Sequence, residues 1–383
     1  MSDPAPTATS PRVNAIDVLR GLVMVLMSVD HASETFNRGR LFTDAVWVYT
    51  PGMPLPAAQF FTRWMTHLCA PTFVALAGTA LAISTERRRE RGESAASIDR
   101  HIVLRGALLI AFEVVWMSFA MREKLGLFLL QVLYAIGGSL VCMALLRRLG
   151  DRALFAVGLA LALGTELLLG LAVATGVLET LPVALSISGG FFFGGRLIVA
   201  YPVLPWLGVM CIGWAFGRRL VAWRAAGIDA SARGAKVLAA AGLAGLALFG
   251  ALRAANGFGN MRLLRDAPGI VQWLHVSKYP PSATFVGLEL GIAALLLAAL
   301  MLAGARAARW LEPLRLLGQT ALFYYLLHIH ALALVAQLTG LHGRLGLRSA
   351  YVGGLAVVVA LYPACAWYRR YKAAHPVGWA RWI

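Results

Sequence analysis

The sequence predicts an all-α fold, a polytopic bundle of about ten membrane-spanning helices with both termini on the cytoplasmic side. Three observations carry this expectation. The chain of 383 residues is 59% hydrophobic and only 14% charged, well outside the balance of water-soluble domains. Apolar stretches long enough to cross a hydrocarbon core of roughly 30 Å recur from Ala15 to Tyr368. Lys and Arg favour alternate connections, about twice as many falling on the segments assigned inside as on those outside.

In chain order the expected spans are 14 to 35, 60 to 83, 101 to 121, 125 to 146, 153 to 175, 202 to 218, 237 to 253, 281 to 303, 316 to 337 and 349 to 368. Each is expected to be helical, because a lone segment in lipid must satisfy its own backbone. Residues 1 to 13 hold no apolar core or cleavage pattern, so the first span is the expected insertion signal and the tail before it is cytoplasmic. The membrane domain is then 14 to 368, followed by a second cytoplasmic tail, 369 to 383. The densest charge run, TERRRERGESAASIDR at 85 to 100, reads as a solvated loop with no binding role. Three longer segments, 36 to 59, 176 to 201 and 254 to 280, fall outside. The second holds SGGFFFGGR at 188 to 196, whose glycines lack the spacing of a phosphate cradle and predict a flexible or re-entrant loop.

The net charge of +17 does not imply a nucleic-acid partner, since the basic residues are spread over short loops rather than gathered on one soluble face. Cys69, Cys142, Cys211 and Cys365 fall singly in four spans, as small packing residues do. No HxxxH or HExxH pair suggests a metal.

Ionisable groups inside a span cost several kcal/mol, roughly 2.5 to 3.5 each, so each needs a partner or a function. Asp17 and Arg20 lie three apart near the inner end of helix one and can pair. Asp30 and His31 stand near its outer end, where His31 is a candidate general base and Asp30 a group to orient or charge-stabilise it. Arg63 and His67, four apart, reach the same level from helix two, with His67 as the other candidate base. Glu113 and Glu166 fall near the centres of spans three and five. Tyr324 and His328 share a face of helix nine from which His330 points away. His275 and Lys278 precede helix eight.

Four ordered segments then resemble one family: AIDVLRGLVMVLMSVDH at 15 to 31, FFTRWMTHLCAPTFVALAGTA at 60 to 80, YPVLPWLGVMCIGWAFG at 201 to 217 and VSKYPPS at 276 to 282. The chain resembles the membrane acetyltransferases typified by heparan-α-glucosaminide N-acetyltransferase and their bacterial relatives. The resemblance implies transfer of an acetyl group from cytoplasmic acetyl-CoA to an amino sugar across the membrane. An asparagine late in the first family helix and a histidine shortly before the second are implicated in the characterised enzyme. Counting from the shared DxxRG element, His31 occupies the asparagine position, and residues 37 to 59 contain no histidine. No counterpart of that enzyme's large outer domain precedes the first helix, so heparan sulfate itself is not the expected acceptor.

The resulting expectation is a membrane acyltransferase in which His31 or His67 deprotonates an acceptor hydroxyl or amine. Arg63, Lys278 or a helix dipole would steady the oxyanion, with Glu113, Tyr324 and His328 among the substrate-binding groups and Arg20 and Arg105 on the phosphates of the acyl-CoA. The expected partners are the bilayer, the acyl-CoA and a sugar or glycan acceptor, with no nucleic acid and no metal. A homodimer is an expected association with no residue assigned to it, and the composition suits a bacterial inner membrane. Two rivals are a proton-coupled transporter using Glu113 and Glu166 and a scaffold that has lost the chemistry.

Overall fold

A computed structural model describes residues 11–120, 128–303, 305–375, 378 and 382. The chain opens with α1 (Pro11–Phe36), 26 residues long. A short helix α2 (Ala57–Trp64) follows Pro56, and one turn later α3 (Cys69–Glu90) begins. Pro71 sits in the first turn of α3, where a missing N–H leaves no helical bond unmade. The expected loop at 85 to 100 is mostly helical. α3 runs to Glu90, and α4 (Ala95–Ala111) starts after Ser94, whose side chain accepts a bond from the Ser97 amide at 3.2 Å. α4 winds into a π-helical stretch, Phe112–Met117, which carries Glu113.

α5 (Val132–Leu146) is shorter than the expected span 125 to 146, part of which lies outside the described residues. The expected span 153 to 175 is broken at Gly164 into α6 (Asp151–Leu163) and α7 (Thr165–Ala174), bent by 61°. Three strands, β1 (Phe128–Leu130), β2 (Gly190–Phe192) and β3 (Leu197–Val199), form a small sheet in the order β1-β3-β2, with β3 parallel to β1 and antiparallel to β2. The glycine-rich segment 188 to 196, expected to be a flexible or re-entrant loop, therefore holds β2 and the turn that leads into β3. Phe193, Gly194 and Gly195 at its turn all take positive φ, which glycine adopts without a Cβ clash.

Then come α8 (Val203–Ala225), α9 (Ala230–Ala255), α10 (Ala283–Leu302), α11 (Glu312–Gln319), α12 (Ala321–Thr339) and α13 (Arg348–Ala374). Asp229 and Ser282 cap α9 and α10 through their side-chain oxygens. Residues 369 to 374, expected in a tail, continue α13. Among the described residues six helices are long and apolar enough to cross a membrane, or seven if α6 and α7 make one span. α1 is as long as these but carries Asp17, Arg20, Asp30 and Glu34, and α5 is apolar but only 15 residues long.

α1 is the axis of the bundle, touching α3, α10, α11, α12 and α13. Its closest crossing is with α11. A Cβ on Gly21 would collide with the backbone of Leu314, and one on Gly318 with the carbonyl of Asp17. Small residues permit this approach, which supplies much of the helix–helix contact available in lipid. The crossing brings the Arg20 guanidinium to the Gly318 carbonyl (3.3 Å) and Asp17 to Gln319 (3.3 Å), while Arg20 and Asp17 pair at 3.1 Å as the three-residue spacing requires. This crossing lies toward the lower end of the bundle, and Asp30 and His31 lie toward the upper end.

Candidate functional site

At the upper end the segment 37 to 56 folds back over α1 and α2 and brings Asp44 to Arg63. The guanidinium donates through Nη1 to both Asp30 oxygens at 2.8 Å, and through Nη2 and Nε to Asp44 Oδ2 at 2.7 and 3.1 Å. A fifth bond runs from Nη2 to the Tyr279 hydroxyl at 3.2 Å. Arg40 donates to Asp30 Oδ1 at 2.8 Å. Two aspartates thus enclose one arginine, the fork geometry for which guanidinium is suited and ammonium is not. Burial alone would raise the Asp44 carboxyl; the Arg63 guanidinium, with His67 and Lys278, overcomes it and holds the group well below the usual carboxylate range. The backbone of Asp44 also accepts from the Lys278 and Tyr279 amides at 2.8 and 3.2 Å, and His275 Nε2 meets the Thr43 carbonyl at 2.7 Å. The segment VSKYPPS is thereby clamped over Arg63.

This arrangement revises two sequence-based roles. Asp30 is bound by Arg63 and Arg40 and makes no bond to His31, so it does not orient that ring. Arg63 is engaged by both aspartates and has no free edge for an oxyanion. The carboxylate that does hold a histidine is Asp44, bonded to His67 Nε2 at 3.0 Å. A carboxylate only accepts, so Nε2 carries the proton and the buried Nδ1 has no partner among the described residues.

His31 is held differently. Its Nδ1 lies 2.7 Å from His328 Nε2, and His328 Nδ1 lies 3.1 and 2.9 Å from the carbonyls of Tyr324 and Tyr325. Carbonyl oxygens accept, so His328 carries its hydrogen on Nδ1 and presents a lone pair at Nε2. His31 must then donate from Nδ1, which leaves its own Nε2 as a bare lone pair. His31 is half-buried while His67 is only 2% exposed, so of the two imidazoles His31 is the one open to a substrate. Tyr324 is fully buried, stacks on His328 and bonds Ser28 at 2.6 Å; it supports the pair rather than lining an open site.

Lys278, 3% exposed, makes no side-chain hydrogen bond or ion pair among the described residues, and its ammonium lies 5.2 Å from the Tyr279 ring and 5.9 Å from that of Tyr201. Of the two side chains expected at the oxyanion it is the one that remains available. Glu113 does not join this group. Its Oε2 accepts from the Leu133 and Tyr134 amides at 2.8 and 3.2 Å, closing the open N-terminus of α5. Glu166, just beyond the bend, accepts from the Gly259 and Met261 amides at 2.6 and 3.2 Å and so ties down the 256 to 282 segment. The two carboxylates expected of a transporter are thus both engaged with backbone. His330 points away from His31, against Trp116.

From the lower end a cavity of about 320 Å³ rises into the bundle between α1, α3, α4, α5 and α12. Arg20, Arg88, Arg105 and Lys372 line it, and Met24, Leu109, Val132 and Leu133 give it an apolar interior. The sequence-predicted Arg20 and Arg105 therefore meet in one cavity, joined by Arg88 from the run read as a solvated loop and by Lys372 from the expected tail. Tyr325 belongs to the same lining. Its ring lies 6.5 Å from His31 and 5.6 Å from His328, so one side chain borders both the cavity and the histidine pair. Among the described residues no group of three His, Cys, Asp or Glu is placed to hold a metal ion.

Asp44, Arg40, Tyr279, Tyr325, Arg88 and Lys372 were not legible as site residues. Asp44 alone offered a signal, as the single acidic residue between Phe36 and Phe60, in the connection leading to Arg63.

No curated protein matches the chain. The family model described as heparan-alpha-glucosaminide N-acetyltransferase, catalytic, matches residues 12–249, a range that holds Asp17, Arg20, Gly21, the Asp30–Arg63–Asp44–His67 network and the lower arginines Arg88 and Arg105. With its apolar helices this makes the chain an integral membrane protein that belongs to the heparan-α-glucosaminide N-acetyltransferase catalytic family.

Proposed function

We propose that the chain is a membrane-embedded acyltransferase that moves an acetyl group from acetyl-CoA at its lower, cytoplasmic end to an amine or hydroxyl of a sugar or glycan at its upper, outer end. The observation that carries the reading is the position of Tyr325, between a basic cavity open at the lower end and the His31–His328 pair. Arg20 and His31 are eleven residues apart on one helix, an axial distance of about 17 Å, on the scale of an extended pantetheine arm. Arg105, Arg20, Arg88 and Lys372 would meet the phosphates, with the apolar interior around the arm and the thioester directed toward His31.

In this reading His31 Nε2 takes the proton of the acceptor as its nitrogen or oxygen attacks the thioester carbonyl. Lys278 steadies the oxyanion of the tetrahedral intermediate. The C–S bond then breaks, the thiolate of CoA leaves and the proton passes to it. His67, held by Asp44 and buried, stiffens the network beneath the acceptor.

The reading includes ten spans with both termini cytoplasmic, obtained by adding α1, α5 and α8 to the seven counted with the bent pair. It also includes the cell membrane of a bacterium as the location and association of two copies. The test is release of the CoA thiol from acetyl-CoA by the protein purified in detergent, with glucosamine as acceptor, comparing wild type with His31→Ala and His67→Ala. Turnover lost in His31→Ala with acetyl-CoA binding retained supports the assignment. A wild-type protein that binds no acetyl-CoA removes it.

A further inference from the structure

A second cavity, of about 590 Å³, lies between α3, α6, α8, α9 and α10, away from the histidines. Apart from Thr72 and Thr79 its depth is walled by apolar side chains and glycines. It opens sideways, where Phe155, Leu159 and Val237 are 42%, 37% and 43% exposed. Along α9 it extends from Val237 to Leu248, eleven residues or about 17 Å, close to the depth of one leaflet in a hydrocarbon core of roughly 30 Å.

The lower mouth is different in character. Arg152 and Arg219 line it and are exposed, and the one carboxylate in the lining, Asp151, is turned to Arg218. Neither has an ion-pair or side-chain hydrogen-bond partner among the described residues, although the adjacent Arg218 is held by Glu86 at 2.6 Å and Asp151 at 3.5 Å. Two unpaired guanidiniums at the end of an apolar groove as deep as a leaflet match the two halves of one ligand. Guanidinium suits phosphate, and the groove suits a hydrocarbon chain.

We propose that this groove is a binding site for one anionic phospholipid of the lower leaflet, with an acyl chain along α9 and α10 and the phosphate between Arg152 and Arg219. The proposal rests on the membrane-spanning reading and is independent of acyl transfer.

The experiment uses the full chain, delipidated in detergent and titrated with phosphatidylglycerol or with phosphatidylcholine of the same chains. Bound lipid is counted by native mass spectrometry and the unfolding temperature is followed in parallel. One phosphatidylglycerol is expected to bind ahead of phosphatidylcholine and to raise the unfolding temperature. R152Q/R219Q should weaken phosphatidylglycerol by roughly thirtyfold, about fivefold for each basic residue near a headgroup, and erase the preference. Ala241→Phe, at an exposed position of the lining, should displace both lipids. Inorganic phosphate should bring no shift, since it has no chain to fill the groove. Equal binding of the two lipids by wild type, or unchanged phosphatidylglycerol binding by a folded R152Q/R219Q, would show ordinary annular lipid and overturn the proposal. Thiol release from acetyl-CoA on the same samples reports on the acyltransferase reading separately.

Discussion

Replacing His328 by leucine isolates the device that sets the tautomer of His31. The side chain removed is fully buried and accepts from His31 Nδ1 at 2.7 Å, while its own Nδ1 is held by the Tyr324 and Tyr325 carbonyls. Leucine fills the space without accepting, so the His31 Nδ1–H is left unmet. Leaving one such group unsatisfied costs about 1 to 3 kcal/mol, and each 1.36 kcal/mol is a factor of about ten in rate. The reactive orientation, with the lone pair on Nε2, should be depleted accordingly, and kcat should fall roughly 5- to 150-fold. KM for acetyl-CoA should barely change, because Arg20, Arg88 and Arg105 are untouched. His328→Gln, whose amide oxygen can accept, should recover most of the loss. Removing the base itself, in His31→Ala, should cost more, about 10²- to 10⁴-fold. The assay is initial-rate thiol release at varied acetyl-CoA, with circular dichroism as a check on folding. A folded His328→Leu protein with wild-type kcat, alongside an inactive His67→Ala, would refute this reasoning and transfer the base to the Asp44-held imidazole.

Three further outcomes follow from the same geometry. Arg63→Met leaves Asp30 and Asp44 buried without their shared cation and should destabilise the protein by about 3 to 5 kcal/mol, read as a lowered unfolding temperature; Arg63→Lys, lacking the fork, should recover only part. Arg105 has no ion-pair partner among the described residues, so Arg105→Ala should raise KM for acetyl-CoA about tenfold or more through loss of a charge-assisted contact, with kcat unchanged; a kcat effect alone would place the phosphates elsewhere. The Asp44 carboxyl, held below its ordinary value, contributes stability that is complete above the unfolded-state value of about 4 and is lost as pH falls toward the folded value. Unfolding temperature should therefore fall from about pH 4 downward in wild type, and Asp44→Asn should be less stable at pH 7 and show a shallower acid slope.

The helical, membrane-embedded architecture was legible because hydropathy is a property of each segment by itself. A run of apolar residues forms a helix in lipid whatever its neighbours do, and composition already excludes a water-soluble enzyme. Depth along a helix was legible too, since a fixed rise per residue places Arg20 low and His31 high on α1 and puts His31 and His67 near one level. Local spacing correctly joined Asp17 to Arg20 and set His328 apart from His330.

Pairing between helices was not legible, because it depends on the rotation of each helix about its axis and on where connections fold back, and neither is written in any single segment. Asp30 was the expected support of His31 even though helical neighbours point about 100° apart and need not touch, and Arg63 and Arg40 took the carboxylate instead. Asp44 entered the site only because the 37 to 56 segment returns over α2. Glu113 and Glu166 looked like midplane functional groups, and tertiary contact with unpaired backbone amides made them anchors. Hydropathy alone thus established the lipid solvent and the mostly helical character, and helical rise the order of polar groups along α1. The tertiary structure decided which groups meet, since an ionisable side chain in a low-dielectric interior settles on whichever opposite charge or unpaired amide the packing brings within hydrogen-bond reach.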